Sequence, residues 1–582
     1  MNIFIKLRWY FQQQWRRYLL AVLILCAISV IAMVPPWLTG GIVDAASEGS
    51  LTGDQLFMQV SIMIAIGFAA YGLRYLWRML LYHASFQLAA VLRQKIYQHL
   101  MLMAPDFFQQ YRTGDMMARA TNDINAVEMT AGDGVLAMVD GVLTAVVVLS
   151  ILLFLLNWQL TFMALLPWPF LSYYMWRIGK QLHQAFGEAQ ACFSQLNDVV
   201  QENMGAIRVV KGFGQEAHQQ AHFAAIAAQA TAANLRVAHI DAKYDPAISL
   251  TIGLSFFITV AGGAWYIHQG VMSVGELTSF TIYLGYMIWP MFAVGWLLNI
   301  VERGSAAYAR IEQLLATPPS IEDKGELTTI KNAQVIWQVK QFNYPGNEQQ
   351  VLQDINVTVG HGGTLGIVGP VGAGKTSLVQ LLLRCYQHSG VNIILGGHAL
   401  EDYRLAGLRQ HIAVVPQDPF LFSTTIAENI TFAQPHASLQ AIRQAARVAD
   451  IDQDIMAFSD QYQTLVGERG ITLSGGQKQR LAIARAILCD APILVMDDAL
   501  SAVDVETEKH ILHALRQYRR DRTLIVVCHR LSAVRDADHI IVLQAGRMTE
   551  SGNHVSLLQQ QGWYAQMFNY QQIEQHITED YP

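Results

Sequence analysis

The chain has 582 residues, of which 52% are hydrophobic and only 14% charged, with a formal net charge of −6 and a mean hydropathy of +0.25. Soluble proteins carry roughly 25% charged residues, and a soluble chain of this length would divide into several domains whose polar surfaces need that charge, so part of this one belongs in a bilayer. The apolar content excludes a disordered chain, five cysteines in this length exclude a disulfide scaffold, and the acidic balance gives no general attraction for nucleic acid.

Residues 2–17 (NIFIKLRWYFQQQWRR) mix aromatics with Lys and Arg, the composition of a helix lying along the membrane interface or of a simple topogenic flank. The apolar run that follows is too long for a signal peptide and leads to no clean cleavage site. Uncharged runs separate Arg17 from Asp44, Asp54 from Arg74, Asp140 from Arg177, Asp245 from Glu276 and Glu276 from Glu302. A helix needs about 20 apolar residues to cross the hydrocarbon, and the Asp140–Arg177 run holds two spans with a turn at Asn157. Six transmembrane helices are predicted, near 18–39, 55–81, 132–156, 158–178, 246–268 and 277–300.

Lys and Arg lie before the first helix and in the segments 82–131 and 179–245, while the turns near 40–54, 157 and 269–276 have neither. Both termini are therefore cytoplasmic. The two basic segments are too long for loops of a compact domain. They read as helical extensions of the spans, interrupted at Arg112–Asp115 and Lys211–Gly214. Asp140 in helix three and Arg74 and Arg78 in helix two are costly charges that either serve a function, pair, or sit near the headgroups. Helices five and six carry Phe256, Phe257, Trp265, Tyr283, Tyr286, Met287, Trp289, Met291 and Trp296, which line an adaptable cavity or face lipid. The five cysteines show no zinc-type spacing, lie in spans or cytoplasmic parts, and imply a reducing compartment.

The membrane part is expected to occupy 1–315 and a linker 316–334, leaving 335–582 as a nucleotide-binding domain. There strands alternate with helices, the α/β pattern. The strand Gly363–Val368 runs into Gly369-Pro-Val-Gly372-Ala-Gly374-Lys375-Thr376-Ser377, a full G-x-x-x-x-G-K-[ST] match followed by an apolar helix. Its glycines let backbone N–H groups wrap phosphates at a helix N-terminus; Lys375 serves the β/γ oxygens and the Thr376 hydroxyl a Mg²⁺ ion. A second apolar strand, Pro492–Met496, ends in Asp497-Asp498, where Mg²⁺ coordination is required; alone this is a weak sign. Between them lies Leu473-Ser474-Gly475-Gly476-Gln477.

These residues resemble the ATP-binding cassette (ABC) exporter family, in which LSGGQ is the signature holding the γ-phosphate of ATP through Ser474, Gly475, Gly476 and Gln477. The resemblance extends in order to Tyr344 as the adenine-stacking aromatic, Gln417 as the glutamine between Mg²⁺ and the attacking water, and Asp497 as a metal ligand. It extends further to Asp504 in the loop Ser501–Asp504, His529 as the switch histidine, and Val466–Gly470 as the loop facing the membrane domain. It covers the whole chain. It implies a half-transporter of the type IV exporter fold, six membrane helices fused to a P-loop ATPase, with breaks near Arg112–Thr121 and Met204–Gly214 as coupling helices docking on the cassettes.

One departure matters. The family places Glu directly after the Mg²⁺-site Asp to polarise the lytic water, and here Asp498 stands there, its carboxylate about 1.5 Å further back. Either the backbone shifts and Asp498 still works as catalytic base, or this site is slow. The second case resembles one half of a heterodimer, whose LSGGQ completes the site of a partner carrying the Glu. The segments RWYFQQQWRRYL, RTGDMMARATND and DDALSAVD resemble one subunit of a bacterial multidrug-resistance-like pair of the inner membrane. Expected partners are thus a second half-transporter, the lipid bilayer and a hydrophobic small molecule, with no nucleic acid. A lipid or peptide exporter, or a nucleotide-gated regulatory membrane protein, is the competing reading.

Overall fold

The computed structural model describes residues 2–580 apart from 112, 468, 469, 471, 472, 519 and 520, with the backbone alone described at 2 and 575–580. Two compact units result: Met1–Tyr97 with Met117–Ala316, and Gln98–Met116 with Thr317–Pro582.

The first unit is helical. Trp15–Ser47, Gly53–Leu102, Thr113–Leu156, Glu216–His268 and Val274–Ala316 are long and apolar enough to cross a membrane. The fourth expected span is also helical, but it divides into Trp158–Leu165 and Trp168–Gly205 at Leu166–Pro167, where proline removes a helical donor. Asn157 caps it, its side chain accepting from the Leu160 N–H at 3.0 Å. Gly53–Leu102 is one 50-residue helix, so the cytoplasmic extension expected of helix two is continuous with its span.

The first cytoplasmic segment breaks beside the expected place, at Tyr111, which is extended with φ −104° and ψ 125° between Pro105–Gln110 and Thr113–Ala118; Gly114 lies inside the latter helix and Arg112 is outside the described residues. A further break, which the sequence did not suggest, falls at Met103–Ala104, before Pro105–Gln110. Pro105 is the cause, since the residue before a proline is driven out of the helical region, and Ala104 is extended with φ −84° and ψ 168°. The second segment breaks where it was expected: Trp168–Gly205 ends, Ile207–Gly212 follows, and Glu216–Asp241 starts anew. At the N-terminus Ile3, Leu7 and Tyr10 are buried, and the Tyr10 hydroxyl donates to the Ala84 carbonyl at 2.6 Å. The face formed by Ile3, Leu7 and Tyr10 is thus covered by protein.

Among its described residues the second unit carries ten strands: β1 Val335–Phe342, β2 Leu352–Val359, β3 Thr364–Val368, β4 Val391–Leu395, β5 His398–Ala399, β6 Ile412–Val415, β7 Ile493–Asp497, β8 Thr523–Val527, β9 His539–Gln544 and β10 Arg547–Gly552. The smaller sheet has order β2-β1-β4-β5 and the larger β10-β9-β3-β8-β7-β6, with β9 to β6 mutually parallel. Every residue of β3, β7 and β8 is buried, as a parallel sheet covered on both faces requires. Alternate side chains serve two cores: Leu494, Met496, Leu524 and Val526 pack with Leu481 and Ile487 of the helix Gly475–Leu488. Ile493, Val495, Ile525 and Val527 pack with Leu378 and Leu382 of the helix Lys375–Leu382 and with the smaller sheet.

Asp452 ties down the helices beside the first of these cores. Its carboxylate accepts from Arg443 at 3.1 and 3.2 Å, from Arg447 at 3.3 Å and from the Tyr462 hydroxyl at 2.7 Å. Burial alone would raise its carboxyl; the hydrogen bonds from Arg443, Tyr462 and Arg447 outweigh it and hold the group below the usual carboxylate range. A depressed folded-state value means stability that is present above the unfolded value of about 3.9 and lost as pH falls through the folded one. Asp452→Asn should therefore cost about 2 kcal/mol at neutral pH, the scale of hydrogen bonds to a charged group. Thermal melts of the full chain should converge for wild type and variant as the pH drops below about 4.

Candidate nucleotide-binding site

The parallel register brings four strand ends to one edge of the sheet. Asp497 at the end of β7 stands opposite Val527 of β8, and Ile367 of β3 stands between Val527 and Ile541. The segments leaving this edge are those singled out in the sequence: Gly369–Gly374 after β3, Gln417 after β6, Asp498 after β7 and His529 after β8. An edge of C-terminal strand ends is where open α/β sheets bind ligands.

The loop Gly369–Gly374 can curl only because it lacks side chains at two points. Gly369 has φ +147°, and a Cβ there would lie 2.0 Å from the Leu543 carbonyl oxygen; Gly374 has φ +93° and caps the helix Lys375–Leu382. Lys375 is buried and its Nζ donates to the carbonyls of Gly369 and Pro370, both at 2.9 Å. Burial pushes its ammonium below the ordinary lysine value, against the pull of Asp498 and Asp497. A weakly solvated cation inside a backbone loop at a helix N-terminus is fitted to phosphate oxygens.

Thr376 Oγ1 donates to Asp497 Oδ1 at 3.2 Å, and burial raises the Asp497 carboxyl, with Thr376 and Lys375 working against the rise. Two oxygen ligands so close together suit Mg²⁺. Gln417 Nε2 lies 3.5 Å from Asp498 Oδ2. Asp498 itself has φ +49°, a left-handed conformation that Asp adopts more readily than longer side chains. Asp498 and His529 line one cavity of about 90 Å³ with Cys528, Glu508 and Arg530. Tyr344 reaches the phosphate-loop helix directly, its hydroxyl 2.7 Å from Ser377 Oγ and 3.2 Å from Gln380 Oε1.

The signature forms a capping box. Ser474 Oγ accepts from the Gln477 N–H at 3.2 Å and Gln477 Oε1 accepts from the Ser474 N–H at 3.1 Å, opening the helix Gly475–Leu488. Among the described residues no hydrogen bond joins Ser474–Gln477 to Gly369–Thr376. The signature helix instead holds the loop after β7: Gln479 donates to Ser501 Oγ at 3.0 Å and accepts from the Ala502 N–H at 2.9 Å. Asp504 accepts from the Thr507 N–H at 2.9 Å, an N-cap that holds its carboxyl below the usual range. In the loop Val466–Gly470, Glu468 and Arg469 lie outside the described residues.

Gln479 and Tyr386 were missed in the sequence. Gln479 reads there as one of several polar residues after the signature, and only its burial marks it. Tyr386 meets the Tyr344 ring edge-on at 5.1 Å and accepts a hydrogen bond from Gln109 of Pro105–Gln110 at 3.1 Å.

Fold and site together define a P-loop ATPase cassette on one chain with a polytopic helical membrane region. Residues 18–291 match the ABC transporter transmembrane region and residues 352–501 the ABC transporter family. The chain belongs to the ABC transporter family, as an exporter-type half-transporter with its ATP-binding, ATP-hydrolysing cassette on the cytoplasmic side. It is 46% identical to the multidrug resistance-like ATP-binding protein MdlA of Escherichia coli over 99% of this chain and 97% of that one. It is 38% identical to the probable multidrug resistance ABC transporter ATP-binding/permease protein YheI of Bacillus subtilis over 98% and 97%. A bacterial Atm1-family ABC exporter solved with ATP bound superposes with a TM-score of 0.81 at 27% identity, over 96% of this chain and 98% of that one.

Proposed function

We propose that this chain is one half of a heterodimeric exporter in a bacterial cytoplasmic membrane, moving hydrophobic or amphipathic compounds outward at the expense of ATP. Residues 1–315 serve as its membrane domain, 316–334 as linker and 335–582 as cassette. Relatives named for multidrug resistance, similar over nearly their whole length, support the substrate class. In the cassette, Gly369, Gly372, Gly374, Lys375 and Ser377 hold the phosphates, and Tyr344 the adenine. Lys375 has to exchange the Gly369 and Pro370 carbonyls for phosphate oxygens. Thr376, Asp497 and Gln417 hold Mg²⁺, which supplies charge neutralisation at the β/γ oxygens. His529 contacts the γ-phosphate, and Ser474–Gln477 with Asp504 face the partner's nucleotide.

The observation that carries the asymmetry is Asp498. Its carboxylate, on a side chain one methylene shorter than Glu, rests toward Gln417 at 3.5 Å, and a base about 1 Å out of place costs ~10²-fold. This site binds ATP and turns it over slowly. A second reading, a symmetric homodimer with Asp498 as working base, is favoured by the left-handed backbone at Asp498, which departs from the extended course of β7. Steady-state phosphate release from the purified transporter separates the two. Asp498→Asn should change turnover by less than about threefold, and Asp498→Glu should raise it. A loss of tenfold or more, about 1.4 kcal/mol, in Asp498→Asn alone would make Asp498 the base and the homodimer the better reading.

A further inference from the structure

The aromatic residues of helices five and six divide in the structure. Tyr283 and Met287 are buried, Phe257 and Trp265 point outward with more than half their surface exposed, and Tyr286 and Trp289 line a cavity. That cavity, about 620 Å³, lies within the membrane unit, and its walls include Arg74, Asp140, Tyr286, Trp289 and Phe292. This is the size of a pocket for a drug-like molecule.

Two of the intramembrane charges line it without forming an ion pair. Asp140 Oδ2 accepts from Trp289 Nε1 at 2.7 Å, while its Oδ1 accepts from no described residue. Among the described residues no ion pair within 4.0 Å involves Asp140 or Arg74. Charges in a membrane span face the interior and pair, or mark a ligand path. Arg74 is exposed on a long side chain that can reach toward the headgroups. Asp140 is half-buried on a short one and cannot. Arg78 is placed differently, its guanidinium 5.7 Å from the Trp77 ring centre.

Helix six and its aromatic residues shape another part of the wall. Helix six is interrupted at Met287, between Val274–Tyr286 and Ile288–Ala316. Pro290 has no N–H to return to the Tyr286 carbonyl, so that oxygen lacks its helical donor. Trp289 packs against Trp296 at 6.4 Å between ring centres, and aromatic faces attract cations most strongly where water is excluded. An unshared carboxylate oxygen and aromatic rings are what a large soft cation needs; an anion would meet Asp140.

We propose that this cavity is a binding subsite for lipophilic organic cations, with Asp140 as their counter-charge and Tyr286, Trp289 and Phe292 as walls. The proposal rests on the export reading above and narrows its substrate class. Arg74 weakens the site by repulsion, so it sets affinity in the opposite direction to Asp140.

The test is equilibrium binding and vesicle export of tetraphenylphosphonium and of the neutral dye Nile red, using the full-length chain with whatever subunit co-purifies. Asp140→Asn should weaken tetraphenylphosphonium binding at least tenfold and leave Nile red unchanged. Asp140→Glu should keep the cation within about threefold of wild type, and Arg74→Gln should tighten it about threefold. If Asp140→Asn fails to assemble, the opposite shift in Arg74→Gln with Nile red unchanged carries the test. A change under twofold in Asp140→Asn, or equal loss of both probes in a well-folded variant, overturns the proposal while export of Nile red keeps the broader reading. If wild type moves neither probe in an ATP-dependent way, the export reading fails and the subsite falls with it.

Discussion

Gly476→Asp should lower phosphate release by the assembled transporter by about 100-fold or more, roughly 2.7 kcal/mol in the barrier. The reason lies in what surrounds the signature. A Cβ on Gly476 would come 3.0 Å from the Ala502 carbonyl oxygen, so the new side chain cannot turn toward the loop after β7 without moving it. It has to project outward, where in the proposed assembly the partner's γ-phosphate sits. There a carboxylate adds like charge where backbone donors should stabilise a developing oxyanion. Gly475→Ala is the control, because its Cβ would find Ala502 Cβ at an ordinary 3.7 Å. That variant should lose less turnover than Gly476→Asp, because it adds no charge and keeps the backbone donors. Matching thermal melts for the two variants would show that the signature helix still folds, since its capping box uses Ser474 and Gln477 and leaves Gly476 out. Near-normal phosphate release by a well-folded Gly476→Asp transporter would refute the assignment of this signature to a working site.

The cassette was legible in the sequence because its chemistry is local. A phosphate loop needs glycines, Lys and Thr within a few residues of a strand end, and such a cluster survives as a string. The expected strands before Gly369 and Asp498 differ from the observed ones by at most a residue at each end. The helix of the signature starts at Gly475 for the reason its sequence states, a Ser followed three residues later by Gln. The break at Tyr111 announces itself through the turn residues Gly114 and Asp115 just after it, whereas the one at Ala104 was missed because Pro105 follows an apolar run that reads as continuous helix. The fourth span lost its continuity at Pro167 for the same reason.

What the sequence could not give were contacts between distant segments. Asp140 and Trp289 are 149 residues apart, and Gln109 and Tyr386 are 277 apart. No periodicity encodes such pairs, and each depends on how helices are packed. The backbone of Asp498 was hidden too: an aspartate after a strand gives no sign that its φ will be +49°.

The asymmetry itself is tested by Lys375→Ala. In this chain's own site the variant should weaken ATP binding about 100-fold, close to 3 kcal/mol. Lys375 is buried, its ammonium is destabilised by that burial, and its present partners are two carbonyls. Moving from neutral acceptors to phosphate oxygens therefore gains a charge-assisted interaction in a poorly hydrated place. Alanine removes that gain, and it leaves the Gly369–Gly374 loop intact because the loop's shape comes from its glycines. Turnover of the assembled pair should nevertheless stay within about threefold of wild type, because in the proposed arrangement hydrolysis proceeds on the partner's P-loop against this chain's Ser474–Gln477. The two quantities need separate readouts: photolabelling with azido-ATP, resolved by subunit, for binding, and phosphate release for turnover. Loss of label from this chain with most turnover kept is the expected pattern. Turnover at background while the other subunit still takes the label would mean that both sites must work, and with it the slow-site role of Asp498 would be lost.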